Sequence, residues 1–322
     1  MSPDGRFVLC TGDSDSSLWH FPLREPDHVS DTPFANEVFF LGDRYVLGPA
    51  RGMRAFTLRD LESGERLKVI NNSMNNLRYA VSPNGQFGLV QVGRGEYHRF
   101  VVGKDGIRTD KPALKEWMFQ FALDESGTRA LATDNRALQI YDLGKQDPIM
   151  TLNAPRRTKC TALGFIDQGR HAIAVFPGPR EPERTVDHLH CWDTRTGKAL
   201  EPVIVPYPVS AMAISVRGAH FAIGGTDRGV TIFDRDLKRL GRFRALDGSI
   251  TSMAFHPRLP ILASGSDDMT IRLWSLEGGR EISTILGPQG AIRSLAFDSS
   301  GKRLICSSHD RKVRIWELPD LK

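Results

Sequence analysis

The stretch Ile250–Leu276, ITSMAFHPRLPILASGSDDMTIRLWSL, decides how this chain folds. It holds three short apolar runs, Ile250 to Phe255, Ile261 to Ser264 and Thr270 to Trp274, separated by Pro, Gly and Asp. Runs of that length, rich in Ile, Phe and Trp and bounded by turn residues, predict β-strands in a meander. The pattern returns at Ile292–Leu318, IRSLAFDSSGKRLICSSHDRKVRIWEL, with Phe297 for Phe255, Asp310 for Asp268 and Trp316 for Trp274, a repeat of 42 residues. An all-β unit of that size cannot cover its own apolar faces and must stack against neighbouring copies.

Followed backwards, the Trp274 position is held by Phe21, Phe56, Phe100, Tyr141, Trp192 and Phe233, and forwards by Trp316. Successive spacings are 35, 44, 41, 51, 41, 41 and 42, which gives eight units in one array without an internal linker. Each unit's first strand is expected to end in a turn-forming cluster such as Ser82-Pro83-Asn84-Gly85, Asp167-Gln168-Gly169 or Ser299-Ser300-Gly301. The first unit opens on its turn, Ser2-Pro3-Asp4-Gly5, and the last ends just after its third strand. Those two units are expected to be incomplete, and the chain to be part of a longer polypeptide or truncated at its start. The 51-residue spacing reflects an insertion, Pro177 to Arg184, whose prolines predict an exposed loop. The 35-residue spacing makes the second unit, about residues 36 to 70, the least regular.

Composition agrees with a globular chain: 40% of residues are hydrophobic and 25% charged. No apolar run approaches the roughly 18 residues of a membrane helix, and Met1 is followed by SPDGR rather than by a signal-peptide pattern. The expected location is the cytoplasm. Cys10, Cys160, Cys191 and Cys306 lie far apart in predicted strands, where thiols pack as small apolar groups and no disulfide or zinc framework is expected. The net charge of +5 comes from residues 217–322, with 17 Lys and Arg against 12 Asp and Glu; the rest is balanced at 26 each. The basic residues alternate with acids, so a mixed solvated surface is favoured over a nucleic-acid site.

Units of about 42 residues ending in Trp192-Asp193, Phe233-Asp234, Tyr141-Asp142, Trp274-Ser275 and Trp316-Glu317 resemble the WD-repeat (WD40) family of β-propellers. The resemblance is specific over residues 209 to 318 and faint before residue 115. It implies four-stranded antiparallel blades around a central channel, with eight repeat units whose first and last blades are incomplete, or seven blades as the alternative. It also implies a hydrogen-bonded set of Ser or Thr, Asp and Trp with a His from the preceding loop. Ser264, Asp268 and Trp274 match that set. Asp310 and Trp316 match with Cys306 in place of Ser, Asp227 and Phe233 with Ile223 there, and Thr11, Asp15 and Phe21 fit in the first unit. Leu246 and Pro288 stand where the His should be. Those blades are expected to rely on apolar packing, including Trp192.

In that family, partners sit on the face bearing the loops into each first strand and the turns before each third strand. The matching positions are Trp117, Phe119, Lys159, Thr161, Thr251, Asp267, Arg293 and His309. Exposed aromatic and Arg residues on a rigid platform are the usual interface anchors, and Trp117 with Phe119 is the most suggestive pair. Candidate chemistry is sparse. His188 and His190 share a strand face as a metal pair would, yet no third ligand stands nearby. Asp267 beside Asp268 is a turn residue, and Gly224-Gly225 is no phosphate loop. The expectation is a non-catalytic scaffold without cofactor or metal that binds a protein or peptide. A propeller enzyme working at the central channel and nucleic-acid binding through the basic C-terminal third are the alternatives. An unclosed ring would expose a strand edge and invite self-association.

Overall fold

The computed structural model describes residues 7–11, 16–20, 38–49, 55–71, 78–114, 116–134, 136–155, 159–181, 184–244 and 247–318. Among them, regular structure is β-strand apart from two 3-10 turns, Asp167–Gly169 and Val216–Gly218. Six antiparallel sheets have four strands in meander order, over residues 39–71, 78–110, 120–152, 162–205, 209–244 and 250–285. A seventh, over 292–317, has three described strands. We number them blades one to seven. Among the described residues no helix is long and apolar enough to cross a membrane.

The local sequence explains each strand's place. Second strands are buried on both faces: every residue of Ile261–Ser266 is covered, so their sequence is a continuous run of apolar and small residues. Fourth strands are half-wetted, as the alternating Glu281–Ile285 shows, and their sequence is correspondingly polar. The first strands of all seven blades line one channel of about 250 Å³, with Phe39, Val81, Ala122, Gly164, Ala213, Ala254 and Ala296 among the lining.

Seven core clusters hold the ring, each shared by two adjacent blades. One of them joins Ile305 and Val313 of blade seven to Val38, Phe40 and Val46 at blade one. The Val38 N–H also donates to Ser294 Oγ at 2.9 Å, and the Ser299 N–H to the Gly42 carbonyl at 3.1 Å. The ring therefore closes with seven blades, from the second to the eighth repeat unit. Four-stranded antiparallel blades in a propeller are as expected, and the count is the seven-blade alternative rather than eight. Among the described residues, Phe7–Thr11 and Ser16–His20 of the first unit form a two-stranded sheet with each other.

Two further expectations are corrected. In blades two to seven the residue at the Trp274 position pairs with the second residue of the second strand, as Trp274 does with Leu262 and Phe100 with Gly88. In blade one that second residue is Val46, and its partner is Arg59. Phe56 lies three residues earlier in the same strand, fully buried, and was picked out by residue type where the register places an arginine. The Pro177–Arg184 insertion is also no simple loop. It lengthens a hairpin, His171–Glu181 paired with Arg184–Asp193, and the ladder skips between Pro177 and Arg180. The skip spans Gly178 and Pro179, so Pro179 is not asked for a ladder bond it cannot donate.

Candidate interaction face

One end of the ring carries the loops into the first strands and the turns before the third strands. Phe119 and Thr161 hold equivalent places at the head of a first strand. Their N–H groups donate to Thr133 O at 2.7 Å and Val175 O at 2.9 Å, each the fifth residue of the adjacent second strand. The side chain at or next to this place often reaches the following blade. Arg78 Nη1 donates to Met118 O at 2.5 Å, Gln120 Nε2 to Thr161 O at 3.3 Å and Ser210 Oγ to Ile250 O at 2.5 Å. Ser252 Oγ accepts from Leu295 N at 2.9 Å, and Ser294 Oγ from Val38 N. These bonds form a belt between blades at the loop end of the channel.

The sequence-selected residues fall on this face with different surroundings. Trp117 and Phe119 meet edge to face, their ring centroids 6.1 Å apart; Trp117 is half-buried and Phe119 is 44% exposed. Lys159, Thr161, Asp267, Arg293 and His309 are exposed, and Thr251 is half-buried with its hydroxyl donating to Gly265 O at 3.2 Å. Arg293 and His309 share blade seven.

Arg78 was missed in the sequence. Its guanidinium lies 5.4 Å from the Trp117 ring centre and 4.6 Å from that of Phe119. The signal was weak, because Arg78 falls in the faint part of the repeat and one residue past the place held by Phe119, Thr161, Thr251 and Arg293.

The expected hydrogen-bonded set divides by blade. In blade six Trp274 Nε1 donates to the buried Ser264 Oγ at 2.8 Å. Asp268 accepts instead from the N–H and hydroxyl of Thr270 and, at 3.4 Å, from Arg272. In blade seven Asp310 faces Arg314 at 2.7 Å and also accepts from Ser308 Oγ and the N–H groups of Gln289 and Lys312. Burial opposes its charge, but those donors win and hold the carboxyl well below the usual range. Trp316 packs in the core shared with blade six. Asp227 pairs with Arg242 at 2.5 Å, and burial still raises its carboxyl above the ordinary value. Phe233 stacks on Phe221 at 5.1 Å. Trp192 Nε1 donates to Asn153 O at 3.2 Å. Thr11 lies in the strand Phe7–Thr11, while Asp15 and Phe21 fall outside the described residues.

His190 stacks on Trp192, its ring centre 5.7 Å away, and meets Phe176 edge to face. Burial keeps its imidazole below the usual pKa, so it packs as a neutral aromatic. Among the described residues no group of three or more His, Cys, Asp or Glu could hold a metal ion. Cys160 and Cys191 are free buried thiols pushed up to about 12 by burial, which leaves them protonated.

The family described as WD domain, G-beta repeat matches residues 238–275 and 279–317. The chain carries WD40 repeats. Each matched WD40 repeat begins with the fourth strand of one blade, Arg239–Arg244 or Glu281–Ile285, and ends with the third strand of the next. A repeat thus staples two blades together. Over 260 residues, 78% of this chain and 49% of the relative, the chain is 24% identical to Autophagy-related protein 16 of Arabidopsis thaliana. It is 31% identical to Transducin beta-like protein 3 of Rattus norvegicus over 57% of this chain and 22% of that protein. It is 38% identical to a Lissencephaly-1 homolog of Monosiga brevicollis over 19% of this chain and 15% of that one. The chain spans about half or less of the length of these curated relatives.

Proposed function

We propose that this WD-repeat propeller is a non-catalytic platform that binds a protein or peptide on its loop-bearing face. The observation that carries the reading is the pairing of exposed Phe119 with Trp117 on a ring closed by seven shared cores. Large aromatic rings on a stiff scaffold give contact area at low cost in conformational entropy. An enzyme working at the channel needs polar groups converging there from several blades. The described first strands bring mostly Phe, Val, Ala, Leu, Ile and Met side chains to that wall instead.

The test is selection of a displayed random-peptide library on the whole chain, followed by binding to face variants. Enriched peptides should lose binding to Phe119→Asp or Arg293→Glu and keep it with Arg195→Glu, an exposed site in a turn at the opposite end. Enrichment of nothing, or of peptides indifferent to both loop-face changes, contradicts the reading.

A further inference from the structure

Arg78 is a half-buried cation with no carboxylate partner among the described residues, a setting unlike that of four other covered arginines. Arg272 and Arg314 each face an aspartate, and Arg129 and Arg303 grip Asp124 and Asp298 at 3.0 and 3.1 Å. Among the described residues Arg78 meets the Met118 carbonyl and the faces of two aromatic rings instead. The acid nearest in the adjoining loop, Glu116, is exposed and spends its main-chain carbonyl on Tyr97 Oη at 2.7 Å.

The surroundings hold Arg78 in place. Its Nη1 is tied to Met118 O, the Phe119 N–H is tied to Thr133 O, and Tyr97 fixes the loop at Glu116. The belt bond uses one nitrogen of a planar five-donor group, and the rest of that fork has no hydrogen-bond partner among the described residues. Two more groups beside it are unpartnered. Trp117 Nε1 is a buried donor without an acceptor. Gln91, the cross-strand neighbour of both Arg78 and Tyr97, is fully buried with neither end of its amide bonded. The unused capacity is mostly donors, so it suits an acceptor.

We infer that the Arg78–Trp117–Phe119 cluster takes an aspartate or glutamate side chain of the protein partner, with an apolar neighbour seated against the exposed Phe119 ring. This rests on the loop face being the binding face. Carboxylate geometry matches the guanidinium fork, and a fork already oriented by rings and a carbonyl loses little freedom on pairing. A cationic ligand is disfavoured because Arg78 already lies over both rings and repels it. Phosphate is disfavoured because phosphate sites are built from clusters of arginines, and one arginine stands here among the described residues.

The experiment uses peptides enriched from the displayed library on the whole chain. Each is resynthesised with its acid changed to the amide, and separately with its C-terminus amidated; the protein is compared with Arg78→Met, Arg78→Lys and Phe119→Ala. Expected are loop-face peptides carrying Asp or Glu beside an apolar residue. They should weaken on the order of ten-fold or more when the side-chain acid becomes an amide or Arg78 becomes Met, the size expected for losing a charged hydrogen bond. Lysine should restore part of the affinity, and C-terminal amidation should change nothing. Because the peptide changes leave the protein untouched, a folding defect in Arg78→Met does not blunt the test. Loop-face peptides indifferent to their acids overturn the inference and leave the proposed function standing. Dependence on the free C-terminus alone overturns the side-chain assignment. Absence of loop-face peptides removes both.

Discussion

Ser294 Oγ accepts the main-chain N–H of Val38 at 2.9 Å, joining residues 256 positions apart in the chain. The same hydroxyl lies 3.0 Å from Ser307 Oγ, and all of these groups are buried. Ser294 is the last member of the inter-blade belt, and with it the ring is complete. Ser294→Ala leaves a buried N–H without a partner. It should cost about 1–3 kcal/mol in urea unfolding and raise proteolysis at the junction of blades seven and one.

The Asp310 carboxylate is held by four residues, with Arg314, Ser308, Gln289 and Lys312 all donating. Asp310→Asn leaves Arg314, itself only 10% exposed at its side chain, without its counter-charge. A loss of about 3 kcal/mol is expected. Since the folded pKa lies below the unfolded one, this stability is present above the ordinary carboxylate range and disappears as pH falls below about 4. Acid unfolding of Asp310→Asn should therefore be shallower than that of the parent.

His256 sits at the junction of blades six and seven. Its Nδ1 accepts from Arg258 N at 3.1 Å and Leu259 N at 2.9 Å, which leaves Nε2 to donate to Gly301 O at 3.1 Å. Only the neutral imidazole can do both. Burial holds its pKa below the ordinary value, against the opposing pull of Gly301 O and Asp298. The unfolded chain therefore binds the proton first, and stability should fall as pH drops through about 6.5. In urea melts between pH 7.5 and 5, His256→Gln should be less stable at the upper end and lose part of that slope. An unchanged slope contradicts the tautomer assignment, since His98 and His190, whose pKa values burial also lowers, remain in both proteins.

Much of the ring was legible in the sequence because its signals are local. Strand runs ending in Trp192, Phe233, Trp274 and Trp316, and turns such as Val216-Arg217-Gly218, where Arg217 and Gly218 both take positive φ, are written within a few residues. Ring closure was not, because it depends on Val38 meeting Ser294 across the whole chain. The register of blade one was misjudged because Arg59 carries no residue-type mark there while Phe56 does. At the site, Trp117 and Phe119 were visible as aromatics. Arg78 was not, since its meaning comes from rings contributed by the next blade and from the lack of an acid beside it.

Gln91 offers a stability test independent of binding. Both ends of its amide are buried and unbonded, a state that costs about 1–3 kcal/mol relative to an apolar group of similar shape. Gln91→Leu should leave thermal stability unchanged or raise it. A clear loss contradicts the assignment of the amide as unsatisfied.

The second to eighth repeat units close a seven-bladed ring and so hold the loop face rigid. Amide hydrogen exchange at two residues tests it most directly. Leu295 N–H donates to Ser252 Oγ between blades six and seven, and Val38 N–H donates to Ser294 Oγ between blades seven and one. In a closed ring the two should be protected to the same order. Rapid exchange at Val38 beside a protected Leu295 would mean that the ring is open at that junction.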